Sequence, residues 1–402
     1  TEINGSKDDA AGCAISEKMR AQIRGLSQAQ NNTADGVSVL NTAEGAITEI
    51  QSMLTRLKEL SVQAANDVNS DDEREAIQKE IEQINNEIDR ISDQTEFNTQ
   101  SLINGNLSRR VYSDLQGVNQ LSVSDSYTAG VYGITVTEDA RQAIAVGAGS
   151  ITMSSTASIT EEQAGAININ GYKISISEGD TLDKVMGKII DGVNITGGSA
   201  FTVKDLNNDT AANGTDYAGY VPTADYAGST LVIMTNQYGS NQKMNITCDN
   251  AELADILGIP QAATQDGIYV EGSDVKAEIA TGDDGKRIGF ADSAILSTKG
   301  TVITVTDVNN KEFSMDVPGN AAGTVFDDSN NDGQSAAGAG TAKTISQEVT
   351  DVGTMSIHVG ANQDQVIVID IPAITTYSLG TEHMNVMTQY TASRAISTVD
   401  EA

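Results

Sequence analysis

The chain has 402 residues, with 24 Lys+Arg against 56 Asp+Glu, for a formal net charge of −32. It lacks the basic surface that a nucleic-acid binder needs to neutralise phosphates, and the basic patch that holds a peripheral protein on an anionic bilayer. It contains no apolar run of the length that spans a membrane, and at roughly 150 residues per domain its length predicts two or three domains.

With no Trp, 11 Tyr and 5 Phe, the cores must be built mainly from aliphatic side chains. Cys13 and Cys248 stand too far apart in sequence to form a disulfide framework and read as incidental thiols. The opening Thr1-Glu2-Ile3-Asn4 is neither an initiator Met nor a signal peptide, so the chain reads as a fragment.

From 15 to 64 the apolar residues fall on two seven-residue ladders. One is Met19, Leu26, Thr33, Leu40, Ile47, Leu54; the other is Ile15, Gln22, Ala29, Gly36, Ala43, Ile50, Leu57, Ala64. A sustained heptad without Pro predicts one long helix with a narrow seam, about 75 Å for fifty residues. The segment Asn66-Asp67-Val68-Asn69 ends it, and Ser70-Asp71-Asp72-Glu73 has the form of a capping box. The second helix carries ladders Ile77, Ile84, Ile91 and Ile81, Ile88. Two helices seldom bury a seam completely, so a third partner is expected. The candidate is 388–402, with Ala392, Ile396 and Val399 at helical spacing and no C-cap.

Between about 107 and 350 the texture changes to short alternating strands and Gly/Asn/Asp turns. Asn170-Gly171 between two strand-like runs is a type I′ hairpin signal. A helix follows with Asp180 or Thr181 as cap and Leu182, Val185, Met186 and Ile189 as its apolar face. Further hairpins are predicted for 301–306 with 311–317, and for 355–359 with 366–371.

Catalytic motifs do not emerge. His358 and His383 lack the one-turn spacing of a zinc-protease helix, and there is no G-x-S-x-G elbow or phosphate loop. Asp328-Ser329-Asn330-Asn331-Asp332-Gly333 matches the first half of a calcium loop, but Ala339 takes the place of the closing Glu, so it reads as a plain loop. No cofactor, metal site, nucleic-acid partner or membrane partner is expected, nor is an enzyme. The fold class predicted is α+β multidomain, a long helical coiled-coil-like rod formed by both chain ends with β-rich α+β units between them.

Five strings then carry a resemblance. They are Ile3-Asn4-Gly5-Ser6-Lys7-Asp8-Asp9-Ala10-Ala11-Gly12, residues 57–64 (LKELSVQA), residues 87–98 (EIDRISDQTEFN), Val359-Gly360-Ala361-Asn362-Gln363 and residues 395–400 (AISTVD). In this order they resemble bacterial flagellin. The resemblance implies a helical rod domain from 1–106 and 353–402 that includes the hairpin 355–371. It also implies β-rich outer segments at 107–160 and 262–352, and a flagellin insertion-type α+β module at 161–261. By the same resemblance the chain is expected to be an extracellular structural subunit of the flagellar filament, packing against other flagellin subunits. Without the terminal core helices, the fragment is expected to stay monomeric. The alternative is a hook-associated protein or a surface adhesin. A further implication is recognition by Toll-like receptor 5 through the positions that match the family motif, Arg56, Leu60 and Glu80. Arg56 and Leu60 are i, i+4, so they are expected to share one face.

Overall fold

A computed structural model describes residues 10–124, 127–203, 226–264, 266–282, 285–307, 311–319, 326–327, 336–337, 342–350 and 352–402. The calcium-like loop at 328–333 lies outside them. Helix α1, Ala10–Ala64, runs unbroken for 55 residues, about 80 Å. Its Ser and Thr residues do not disrupt it, because their hydroxyls bond one turn back: Thr33 to the Ala29 carbonyl (2.8 Å), Thr48 to Glu44 (2.8 Å) and Ser61 to Leu57 (2.8 Å).

The guanidinium of Arg74, buried in the next helix, closes the end of α1. Its Nε donates to the Ala64 carbonyl at 3.1 Å and its Nη2 to that of Asn66 at 3.2 Å, satisfying acceptors the helix cannot. Helix α2, Asp71–Gln94, opens with the capping box expected from sequence: Ser70 Oγ accepts from Glu73 N, and the Glu73 carboxylate accepts from Ser70 N at 2.8 Å.

The chain returns to the rod at its far end. The hairpin Met355–His358 with Val366–Ile369 lies on α1, where Gly36 admits Ile357 and Gly25 admits Ala361. Segment 376–386 is then latched along one face of α2 by three polar residues at helical spacing. Gln78 bonds both Met384 O (3.1 Å) and Val386 N (2.9 Å), Asn85 Nδ2 donates to Thr381 O (2.8 Å), and Asp89 accepts from Thr376 N and Oγ1 (2.8 and 2.7 Å). The third helix of the rod is α5. To reach it, the chain first builds α3, Leu182–Ile195, and α4, Ala251–Ile256, in the inserted part. Helix α5, Gln389–Glu401, is capped by Thr388 and completes the rod core; Leu57, Ile81, Ile88, Ala392 and Val399 meet there.

Among the described residues, two larger cores fill the middle, beside a small cluster of Ile144, Val146, Phe201, Val203, Val232 and Met234. One is a β unit of two four-stranded antiparallel sheets. Gly130–Glu138 is central to the first, beside Lys276–Ile279 and Lys343–Val349; Val302–Thr306 and Glu312–Asp316 are central to the second. Tyr127, Tyr132, Phe290 and Phe313, four of the chain's few aromatics, cluster edge to face between the sheets with centroids 5.1–6.1 Å apart.

The other core is an α+β module. Gly165–Ile169 and Tyr172–Ile176 form the expected hairpin, with Asn170 and Gly171 both at positive φ. Helix α3 packs Leu182, Val185, Met186 and Ile189 into this core. Residues 143–159 supply Ala143, Ile151, Met153 and Ile159, so the core reaches N-terminal of the border at 161 read from sequence. Thr181 occupies the cap position of α3 without a side-chain hydrogen bond. Asp180, 2% exposed, turns instead to Lys184 Nζ (2.6 Å), Lys188 Nζ (2.5 Å) and Ser177 N (2.9 Å).

Candidate functional site

The three residues singled out by resemblance separate in space. Arg56 on α1 reaches across to α2, where its Nη2 and Nε donate to Glu80 Oε1 at 2.7 and 3.1 Å, while Nη1 donates to Glu59 Oε2 at 3.2 Å. The Arg56 and Glu80 side chains are 48% and 44% exposed, so this acid–base cluster sits on the outer surface of the helix pair. The hydrogen bond that Arg56 donates to Glu80, then that to Glu59, raises the guanidinium pKa further. Nearby, Lys58 pairs with Asp400 and ties α1 to α5.

Leu60 does not join this surface. It is 1% exposed and belongs to the seam with Leu57, Ile81 and Ala392. Four residues advance a helix by roughly 40° beyond a full turn. The edge of the seam falls within that interval, so the sequence pair shares a nominal face while only Arg56 meets solvent. Leu60 can support the surface from below, but it cannot offer an apolar contact.

The larger exposed feature is a stripe along α1, from 15 to 47. On one ladder Met19, Leu26, Leu40 and Ile47 are 40–56% exposed, with Ile15 and Ile23 beside them at 55% and 65%, whereas Ala29, Ala43, Ile50, Leu57 and Ala64, further along the ladder that starts at Ile15, are buried. The two ladders interleave at steps of four and three, as the a and d positions of a single seam, and burial on the rod takes only one of them over this stretch. The buried ladder carries small residues where the hairpin comes close, and the open one carries large aliphatics.

His358 lies in the hairpin, its Nε2 3.1 Å from the Asn362 carbonyl, and His383 lies far from it in the latched segment. Among the described residues, no group of three or more His, Cys, Asp or Glu is placed to hold a metal ion, and no helix is long and apolar enough to cross a membrane.

Fold and surface together define an α+β multidomain protein in which a helical rod, closed by both chain ends, carries inserted β-rich units and exposes an aliphatic stripe and an acid–base cluster along its helices. Residues 1–108 match the family described as "Bacterial flagellin N-terminal helical region". The likeness runs further along the chain. A flagellin of Clostridium tyrobutyricum is 39% identical over 210 residues, covering 46% of this chain and 55% of the relative. A flagellin of Halalkalibacterium halodurans is 54% identical over 101 residues, 25% of this chain and 37% of the relative. The chain thus spans about half the length, or less, of these relatives. Among solved structures, the D1-D2-D3 domains of the flagellar cap protein FliD from Escherichia coli align over 77% of this chain and 64% of that one, with 12% identity and a TM-score of 0.35.

Proposed function

We propose that this chain is part of a structural subunit of the bacterial flagellar filament, working outside the cell in motility rather than as an enzyme. The observation that carries the reading is the open stripe on α1 within the region that matches flagellin. Large aliphatic side chains held in a row on a rigid helix gain most from lateral burial against other rods. The β-rich units, inserted away from the seam, then face solvent and carry the acidic coat.

The test is to express the full gene product in a flagellin-null host. Filaments seen by electron microscopy, and restored swimming, are the expected result for the parent sequence. Met19→Glu with Leu26→Glu should leave secreted protein that does not polymerise. Failure of the parent to form filaments rejects the reading, and normal filaments from the double variant reject the role of the stripe.

A second reading is favoured by one observation: Arg56 and Glu80, from different helices, form a single exposed cluster on the rod. We infer from the family resemblance that Toll-like receptor 5 docks there, with Leu60 holding the surface from within. Arg56→Ala and Glu80→Ala should each weaken receptor binding; unchanged affinity in both rejects the assignment.

A further inference from the structure

The rod and the α+β module meet at a cavity of about 320 Å³, walled by Asn236, Gln237 and Gln242 from the module and by Asn385, Arg394 and Thr398 from the rod. Arg394, on α5, is the cation of this cavity. Its Nη2 donates to a neutral acceptor, Gln242 Oε1, at 2.7 Å, and its Nε is buried without a hydrogen-bond partner. No carboxylate pairs with it among the described residues, although acids outnumber bases more than two to one in the chain. No Asp or Glu lines the cavity at all; the polar lining is amides, Thr hydroxyls and His383.

A guanidinium does not shed its proton at accessible pH, so burial leaves it charged. Arg394 is partly buried, and a charge drawn out of water with a donor unused gains when an opposite charge meets it. The planar N–H fork fits two oxygens of one anionic group, and amides and hydroxyls can donate to or accept from what remains. The volume lies at the low end for small-molecule sites, enough for an anionic head group and a few attached atoms.

We infer that this cavity binds a small oxyanion, of carboxylate or phosphate type, held by the Arg394 guanidinium at the joint between rod and module. Because its walls come from both units, occupancy fixes the module on the rod and raises the stability of the joined form.

Calorimetric titration with inorganic phosphate, acetate and glucuronate in separate arms tests this and separates the classes. Saturation by phosphate alone identifies a tetrahedral oxyanion, by acetate and glucuronate a bare carboxylate, and by glucuronate alone a hydroxylated carboxylate. Arg394→Gln should weaken binding about tenfold or more, and Arg394→Lys should weaken it less. If Arg394→Gln misfolds, Arg394→Lys carries the test, since it keeps the charge, loses the planar fork and should bind more weakly than the parent. No saturable binding in any arm, or parent affinity in Arg394→Gln or in Arg394→Lys, overturns the proposal.

Discussion

The rod and the α+β module bury aliphatic cores of the same chemistry in opposite ways. The module's core comes from one continuous stretch, Ala143 to Val270, and closes on itself, with α3 covering its sheet. The rod's core is assembled from both ends of the chain, Val39 to Leu107 with Ile369 to Val399, and still leaves a row of aliphatics on α1 in solvent. A locally closed core makes a unit that can be inserted into another fold. A core closed only by the chain's return makes a scaffold whose remaining apolar surface serves partners.

The largest effect that tests this contrast comes from one cavity in each core. Ile189→Ala in α3 and Ile88→Ala in α2 each remove a fully buried side chain, at an expected cost of about 2–5 kcal/mol. Hydrogen exchange should place the loss of protection from Ile189→Ala inside the module, and that from Ile88→Ala in α1, α2 and α5. If either variant deprotects both units equally, the two cores form one cooperative unit and the contrast fails.

A smaller effect concerns the module alone. Hydrogen bonds from Lys184, then Lys188, then the Ser177 N–H hold the Asp180 carboxyl well below the usual range, against the cost of burial. Since the folded pKa is depressed, the unfolded state takes up a proton first as the pH drops. The stabilisation is therefore complete above about pH 4 and fades as the pH falls from there towards the folded value. Asp180→Asn should cost the module about 2 kcal/mol at neutral pH and flatten its acid denaturation below pH 4. An unchanged acid limb would remove Asp180 as the acid-sensitive contact.

The same contrast governs what could be read from the residues. Local signals translated directly: the Ser70 capping box, the Asn170-Gly171 turn, the α3 face and the helix after Thr388 all formed. Pairings over long distances did not announce themselves. Thr230–Thr235 lies between Ile144–Ser150 and Gly198–Val203, and only the folded sheet fixes such a register. Residues 148–158 hold few large apolar side chains, a composition that reads as a loop or linker; Ile151 and Met153 are nevertheless buried. At the candidate surface, the family resemblance picked out Arg56 and Leu60 and their i, i+4 spacing put them on one face, and only the position of α5 and α2 decided which of the two reached solvent. Arg394 gave no sequence signal, because its isolation from acids is a property of two units meeting.

The smallest expected effect on the fold sharpens the contrast most, because it separates stability from recognition on the rod. The cluster of Arg56 with Glu80 and Glu59 has good geometry but lies half in water, where Coulomb attraction is screened and two long side chains must be held in place. Arg56→Ala, Glu80→Ala and the double variant should therefore all melt within about one degree of the parent. Leu60→Ala, four residues on but inside the seam, should melt far earlier, since it opens a cavity under the same surface. If receptor affinity falls in the two charge variants while their melting stays level, the cluster acts by contact. If Arg56→Ala melts as early as Leu60→Ala, the cluster is a structural clasp between α1 and α2, and any loss of binding in that variant reports a disturbed rod.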